Sequence, residues 1–113
     1  MAMKIFTQAI INAFKKQGKT GNKQAKDIFI ICKLFNPGGA GTWYLYENED
    51  DEIYWAFVNL GDRECAECGT VSMSELLAYK GMFGLKIERD KFFEPFSMTL
   101  EEVQNKVKAG QHV

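Results

Sequence analysis

The sequence predicts a single α+β domain over residues 1–113, in which a meander of about four antiparallel strands is flanked by an N-terminal and a C-terminal helix. Three observations predict this class. Long segments of helical periodicity lie near the two ends, and aromatic and β-branched runs separated by turn residues occupy the centre. In addition, 113 residues can bury one hydrophobic core but cannot accommodate a second full domain.

The first element is an amphipathic helix over residues 3–16. Its apolar side chains recur at spacings of one, three and four, which is the pattern of one helix face. We expect the helix to end in the basic stretch QGKTGNK, because Gly18 and Gly21 favour a turn. The apolar positions are Ile5, Phe6, Ala9, Ile10, Ala13 and Phe14.

The next three elements are strands, at residues 27–35, 42–46 and 53–60. The first run, DIFIICKLF, predicts a strand that is buried on both faces. The turn residues NPGGAG at 36–41 separate it from the second strand, and the acidic loop ENEDDE separates the second from the third. Consecutive strands with such connections predict an antiparallel meander, to which a fourth short strand near residues 69–71 belongs.

Two capping boxes predict where the remaining helices begin. Ser72-x-x-Glu75 begins a short helix through SELLAY, and Thr99-x-x-Glu102 begins the last helix. Each box is flanked by an apolar pair that is placed to form a hydrophobic staple. Between these helices we expect a loop with one short strand at residues 85–89.

Composition excludes several classes of protein. Nine Phe, four Tyr and two Trp supply more apolar surface than disordered chains contain. No run of about 18 uncharged apolar residues is present, which excludes a membrane-spanning helix. The N-terminal segment lacks the apolar region of a secretory signal, so we expect the three cysteines to be free thiols in a reducing cytoplasm.

Charge is distributed unevenly along the chain. Residues 1–26, the basic segment, carry +6, whereas residues 27–78, the acidic segment, carry −8 and residues 79–113 carry +1. Two interpretations follow: the basic segment packs beside the acidic one in the same molecule, or the two segments face partners. In the second case the Lys-rich stretch 15–26 is a candidate nucleic-acid contact. Its binding candidates are Lys15, Lys16, Lys19 and Lys23.

The second strand carries two candidate binding tyrosines, Tyr44 and Tyr46. Strand alternation places both on one face and Trp43 with Leu45 on the other. The tyrosines either stack bases or dock a peptide on an open face, or they are covered by the terminal helices or by a partner subunit. The acidic character of these strands argues against a sheet that binds single-stranded nucleic acid.

Cys65-x-x-Cys68 has the spacing of a zinc or redox site, and Cys32 and His112 could complete four ligands. A zinc site ordinarily has a second close pair of ligands, and here the other candidates are isolated in sequence. We therefore predict no metal and no cofactor, with Cys65 and Cys68 as weak metal candidates.

Glu88, Arg89 and Asp90 form a candidate polar cluster. Two carboxylates beside an arginine could perform general acid–base chemistry, or they could form a structural bridge with that arginine. No serine or cysteine has an evident base beside it, so no catalytic residue is predicted.

Four motifs occur in a recognisable order: KLFNPGGAGTWYLYE at 33–47, NLGD at 59–62, ExGxVSxSEL at 67–76 and GLKIERDxxF at 84–93. Together they resemble a small bacterial domain family of unknown function that is commonly encoded on plasmids and other mobile elements. The resemblance extends from the N-terminal helix to Pro95. It implies a cytoplasmic accessory protein of a mobile element, one that meets DNA or a host protein, and it supplies no catalytic residue. The two cysteines at 65 and 68 depart from the pattern of that family.

Our functional prediction is a non-catalytic binding or accessory protein that acts through protein–protein contacts and not at a membrane. Two alternatives stay open. One is nucleic-acid binding through residues 15–26, and the other is a small enzyme that uses Glu88 and Asp90. The oligomeric state is not predicted.

Overall fold

A five-stranded antiparallel sheet forms the centre of the protein, with a helix against each face. The computed structural model describes residues 5–113, except for the side chain of Met82. Short 3-10 helices lie at Ala25–Asp27, Arg63–Cys65 and Met82–Gly84. The main elements are α1 Gln8–Gln17, β1 Cys32–Phe35, β2 Thr42–Asp50, β3 Ile53–Asn59, β4 Glu67–Ser72, α2 Met73–Ala78, β5 Glu88–Arg89 and α3 Leu100–Lys108.

The strand order is β4-β3-β2-β1-β5, and every neighbouring pair is antiparallel. The predicted α+β class and its four-strand meander are confirmed. The short strand predicted at residues 85–89 is present as β5 over Glu88–Arg89 only, and it pairs with β1 through Leu34 opposite Arg89 and Phe35 opposite Glu88. The sheet therefore ends in the six-residue strand β4 on one side and in a strand of only two residues on the other.

Helix α1 begins later than the hydrophobic pattern predicts. Thr7 caps it, because its side chain accepts a hydrogen bond from the backbone N–H of Ile10, and residues 3 and 4 lie outside the described part of the chain. The helix ends where predicted. Gly18 has φ 66°, a conformation that glycine adopts at little cost, and its N–H donates to the carbonyl of Phe14.

Two predicted strand boundaries are wrong. The first strand joins the sheet only from Cys32, because Ile28 and Ile30 make their backbone hydrogen bonds with Leu100 and Met98 at the start of α3. The segment predicted as the acidic loop is mostly strand. β2 continues to Asp50 along β3, with irregular register beyond Leu45, and only a tight turn remains before β3.

Both predicted helix caps are present. The Thr99 hydroxyl accepts from the Glu102 N–H, and the Glu102 carboxylate accepts from the Thr99 N–H, so the capping box of α3 is complete. Ser72 accepts from the Glu75 N–H at 3.4 Å, a longer contact. In residues 5–113 no helix has the length and apolarity required to cross a membrane.

The sheet separates two hydrophobic clusters. On the side of α1, called the α1 face, Phe6 and Phe14 pack against Tyr54 with ring centroids 5.4 and 5.0 Å away. On the side of α3, called the α3 face, Phe57 and Val103 are fully buried. Successive side chains of β2 point to opposite faces of the sheet. Because both faces are covered by helices, β2 carries apolar side chains on both of its sides.

Candidate functional site

Part of the basic segment packs on the acidic segment. The Lys19 ammonium group donates to the carbonyl oxygens of Asn48 and Glu49, at 3.2 and 2.6 Å, and lies 3.7 Å from the Glu47 carboxylate. The N–H and hydroxyl of Thr20 both donate to Glu47, which is buried. At these residues the opposite charges meet within the molecule.

The other candidate lysines point to solvent. Lys15, Lys16 and Lys23 are exposed, and in the described range 5–113 none of the three forms an ion pair. The Lys16 ammonium lies 5.4 Å from the ring centroid of Phe96. Lys4, which also contributed to the basic segment, is outside the described residues.

The two candidate tyrosines are covered by α3 and its cluster. Tyr44 and Tyr46 are 4% and 6% exposed. Of the two arrangements considered from the sequence, the structure therefore has the one in which the tyrosines are covered, and they do not lie on an open face. Burial, reinforced by the charge of Asp90, raises the pKa of Tyr44 to about 12. One edge of Tyr46 borders a cavity of about 400 Å³ with Lys19, but Glu47 and Glu49 border it too, which disfavours phosphate there.

The polar cluster does not converge. Strand alternation turns Arg89 toward the α1 face, where its Nε donates to the carbonyl of Ile5 at 2.7 Å. Asp90 lies on the other side, 3.5 Å from the ammonium group of Lys33, while Glu88 is exposed. The alternative of an Arg–carboxylate bridge is therefore absent at these residues, since within the described chain Arg89 pairs with neither carboxylate.

The three cysteines are free thiols in different surroundings. Cys32 is buried in the cluster of the α1 face, where burial raises its pKa to about 12, whereas Cys65 and Cys68 are exposed. The Cys65 thiol donates to the Asp62 carboxylate at 3.4 Å, and this hydrogen bond raises the pKa of the Cys65 thiol. Over residues 5–113 no group of three or more metal-binding side chains comes together.

Two buried polar side chains were missed by the sequence reasoning. The Gln17 amide donates to the carbonyls of Phe29 and Tyr46 and accepts from the Phe29 N–H, which ties the end of α1 to the sheet. Glu47 is the second of these side chains. The sequence placed it in the acidic loop, where a carboxylate is ordinarily exposed to solvent, but it is buried. The signal for Gln17 was available, because it lies at helical spacing from Ala13 and Phe14 on the buried face of α1.

Two exposed apolar side chains border a cavity next to β4. A cavity of about 440 Å³, here called the α2 pocket, lies between α2 and the sheet, and its rim includes Leu60 and Tyr79, which are 66% and 45% exposed. Its floor is formed by buried or half-buried apolar side chains, namely Trp43, Val71, Leu76 and Ile87.

A second cavity of about 240 Å³, here called the cysteine pocket, adjoins it. It is bordered by Val58, Cys65, Cys68 and Gly69, and Leu60 borders both cavities. Because Leu60 borders both, the two cavities beside the outer strand of the sheet are here together called the β4 groove. This groove arises because α2 has only six residues and covers only part of the sheet near β4.

Residues 5–111 match the family described as Protein of unknown function (DUF2958). The chain belongs to the DUF2958 family. The comparisons with curated proteins and with solved structures found no match to the chain.

All four sequence motifs contribute to the β4 groove of this DUF2958 chain. Trp43 comes from the motif at 33–47 and Leu60 from the motif at 59–62. Val71 comes from the motif at 67–76 and Ile87 from the motif at 84–93. Neither Leu60 nor Tyr79 was among the residues selected from the sequence. Their exposure depends on how far α2 extends over the sheet, which no local pattern reveals.

Proposed function

We propose that this DUF2958 chain is a non-catalytic binding protein and that it holds a protein partner in the β4 groove. The observation that carries the proposal is the 66% exposure of Leu60 at the boundary of two adjoining cavities. A concave apolar surface with a polar rim is typical of binding sites, and covering a side chain such as Leu60 favours association.

Charge indicates the chemistry of the partner. Asp62, Glu67 and Glu75 border the groove, and no Lys, Arg or His is among its described lining residues. A partner segment with basic side chains would complement this rim, which increases the rate of association and the specificity.

We base the proposed setting of this function on the sequence. The order of motifs resembles a family that is commonly encoded on plasmids and other mobile elements, which supports an accessory protein of such an element. Three free thiols support a reducing compartment, so the cytoplasm is part of the proposal.

The proposal is tested by selecting random peptides displayed on phage against the purified protein. Synthetic copies of enriched peptides are then titrated against Leu60→Asp and, as a matched control, Phe92→Asp. Phe92 is 95% exposed and lies just beyond β5, at the opposite edge of the sheet. We expect Leu60→Asp to weaken binding by about tenfold or more, and Phe92→Asp to leave it within about twofold.

Two outcomes would overturn the proposal. One is that no peptide is enriched, or that the enriched peptides bind Leu60→Asp as tightly as the parent. The other is that labelled duplex DNA or single-stranded RNA binds with a steep salt dependence that a Lys15→Gln/Lys16→Gln/Lys23→Gln variant removes. The second outcome would favour the exposed lysines at the end of α1 as the binding surface.

A further inference from the structure

We infer that the partner in the β4 groove is an extended segment that adds to the sheet as a sixth strand beside β4. This inference rests on the proposed function. It commits the partner to a short peptide segment with two aliphatic side chains at alternate positions and a lysine or arginine on the same face at each end of this pair. Strand addition of this kind supplies affinity through main-chain hydrogen bonds and specificity through side-chain pockets.

The backbone of β4 supports this inference. The Met73 N–H donates to the Glu52 carbonyl at 2.8 Å, and these two residues continue the register in which Ser72 lies opposite Ile53. Met73 therefore turns its polar backbone groups toward the paired strand, and so does every second residue before it. In an antiparallel ladder only alternate residues turn their polar groups toward the paired strand. The N–H and C=O groups of Cys68 and Thr70 therefore point away from β3. On that side β4 pairs with no strand within residues 5–113.

The features that normally protect a sheet edge are few at β4. Natural edges carry lysine, proline or a bulge, or they are covered by another element. Glu67–Ser72 has no lysine and no proline, and its register with β3 runs without a bulge. At Gly69 an added Cβ would meet no atom within 4 Å. The opposite edge differs, because β5 has only two residues with which to pair.

The two cavities match the spacing of an added strand. Val71 borders the α2 pocket and Gly69 borders the cysteine pocket, and strand alternation places both residues on the α1 face. Same-face side chains in a strand are about 7 Å apart. Aliphatic side chains at positions i and i+2 of the partner would thus reach one cavity each. Glu67 lies on the same face as Gly69 and Val71, so basic residues on that face, two positions before and after the aliphatic pair, would meet the carboxylates of Glu67 and Glu75 at the rim.

The experiment uses one synthetic peptide, acetyl-KTVTLTK-amide, which carries both lysines on the face of the aliphatic pair, and two versions in which alternate backbone amides are methylated. One version blocks the amides that would face β4, and the other blocks those that would face solvent. We expect one version to bind at least about fivefold more weakly and the other to bind within about twofold of the parent. Equal effects of the two methylation patterns would overturn the inference, because they would show that the peptide does not bind as a strand.

A matched pair of variants tests the same contact from the protein side. Thr70→Pro removes an N–H that points away from β3, at a position where an edge strand tolerates proline, whereas Thr70→Val keeps the N–H. We expect binding to fall by at least about threefold for Thr70→Pro and to stay within about twofold for Thr70→Val. Amide spectra establish that each variant is folded, and if Thr70→Pro does not fold, the methylated peptides decide.

Failure of this inference and failure of the proposed function are distinguishable. If Leu60→Asp weakens peptide binding but the two methylation patterns have equal effects, the groove is a binding site and strand addition is wrong. If Leu60→Asp has no effect on any peptide, the proposed function itself fails. Absence of any binding of the designed peptide below about 1 mM overturns the stated partner chemistry.

Discussion

The two faces of the sheet are covered differently. On the α3 face, one helix packs across the middle of the sheet and reaches the segment before β4, where the Lys108 ammonium donates to the Ala66 carbonyl at 3.0 Å. On the α1 face, α1 packs over β2 and Tyr54, and only the short α2 lies near β4. The face shared between two helices keeps an apolar groove at its β4 edge, whereas the cavity at Tyr46 on the α3 face is bordered by the acidic residues Glu47 and Glu49.

The faces also differ in how their helices are attached. The start of α3 is held by a complete capping box at Thr99 and by backbone hydrogen bonds to Ile28 and Ile30. The end of α1 is held by the buried amide of Gln17 and by Lys19 and its bonds to the end of β2. The start of α3 is thus held by its cap and by backbone hydrogen bonds to a neighbouring segment, whereas the end of α1 is held by side chains that reach the sheet.

The largest expected effect compares the two aromatic cores. Phe14→Ala on the α1 face and Phe57→Ala on the α3 face should each lower the free energy of unfolding by about 3–5 kcal/mol, since each removes a buried ring and leaves a cavity. Both side chains are buried, and urea denaturation followed by circular dichroism measures the change. A loss below about 1 kcal/mol for either variant would show that its face is loosely packed. Phe92→Ala, in solvent, is the control.

An intermediate effect comes from the ionisation of tyrosines on the two faces. Burial raises the pKa of Tyr44 to about 12, and it also raises the pKa of Tyr54, each from an ordinary value of 10.0. Because the folded protein favours the neutral phenols, their contribution to stability is complete below pH 10 and decreases between pH 10 and about 12.

Tyr44→Phe and Tyr54→Phe test this comparison. Denaturation midpoints measured between neutral pH and pH 11 should decrease less steeply for each variant than for the parent, with the larger change for Tyr44→Phe, where Asp90 adds to the effect of burial. Identical slopes for Tyr44→Phe and the parent would contradict the pKa assigned to Tyr44.

The smallest expected effect compares the caps of α3 and α2. Thr99→Ala should cost about 1 kcal/mol of stability, because it removes the acceptor for the Glu102 N–H at 3.1 Å. Ser72→Ala should cost less, because the Ser72 hydroxyl lies 3.4 Å from the Glu75 N–H and α2 has only six residues. Thermal unfolding measures the stability of both variants. As a control, Thr99→Ser should keep most of the stability that Thr99→Ala loses. A larger loss of stability for Ser72→Ala than for Thr99→Ala would reverse the comparison.

Local patterns were informative where local chemistry decides structure. The caps at Ser72 and Thr99, the end of α1 at Gly18 and the meander of β1 to β4 all followed from neighbouring residues. Errors occurred where distant segments compete for the same backbone groups. Ile28 and Ile30 bond to the start of α3, and the stretch read as an acidic loop continues as strand because β3 pairs with it.

The candidate site was harder to predict than the fold. Strand alternation correctly placed Tyr44 and Tyr46 on one face, but it did not reveal that α3 covers that face. Adjacency in sequence also misled at 88–90, where alternation separates Arg89 from Asp90. Leu60 and Tyr79 carry no local mark of function, and only the packing of α2 shows that they border a groove.

By itself, the sequence determined the fold class, the meander and the helix caps, because these depend on residue spacing and on hydrogen bonds between near neighbours. The tertiary structure alone decided which face each helix covers, that Lys19 and Glu47 meet, and that β4 lies at an open edge beside a groove. These features depend on contacts between residues far apart in sequence. Hydrophobic periodicity describes only the spacing of near neighbours and does not predict such contacts.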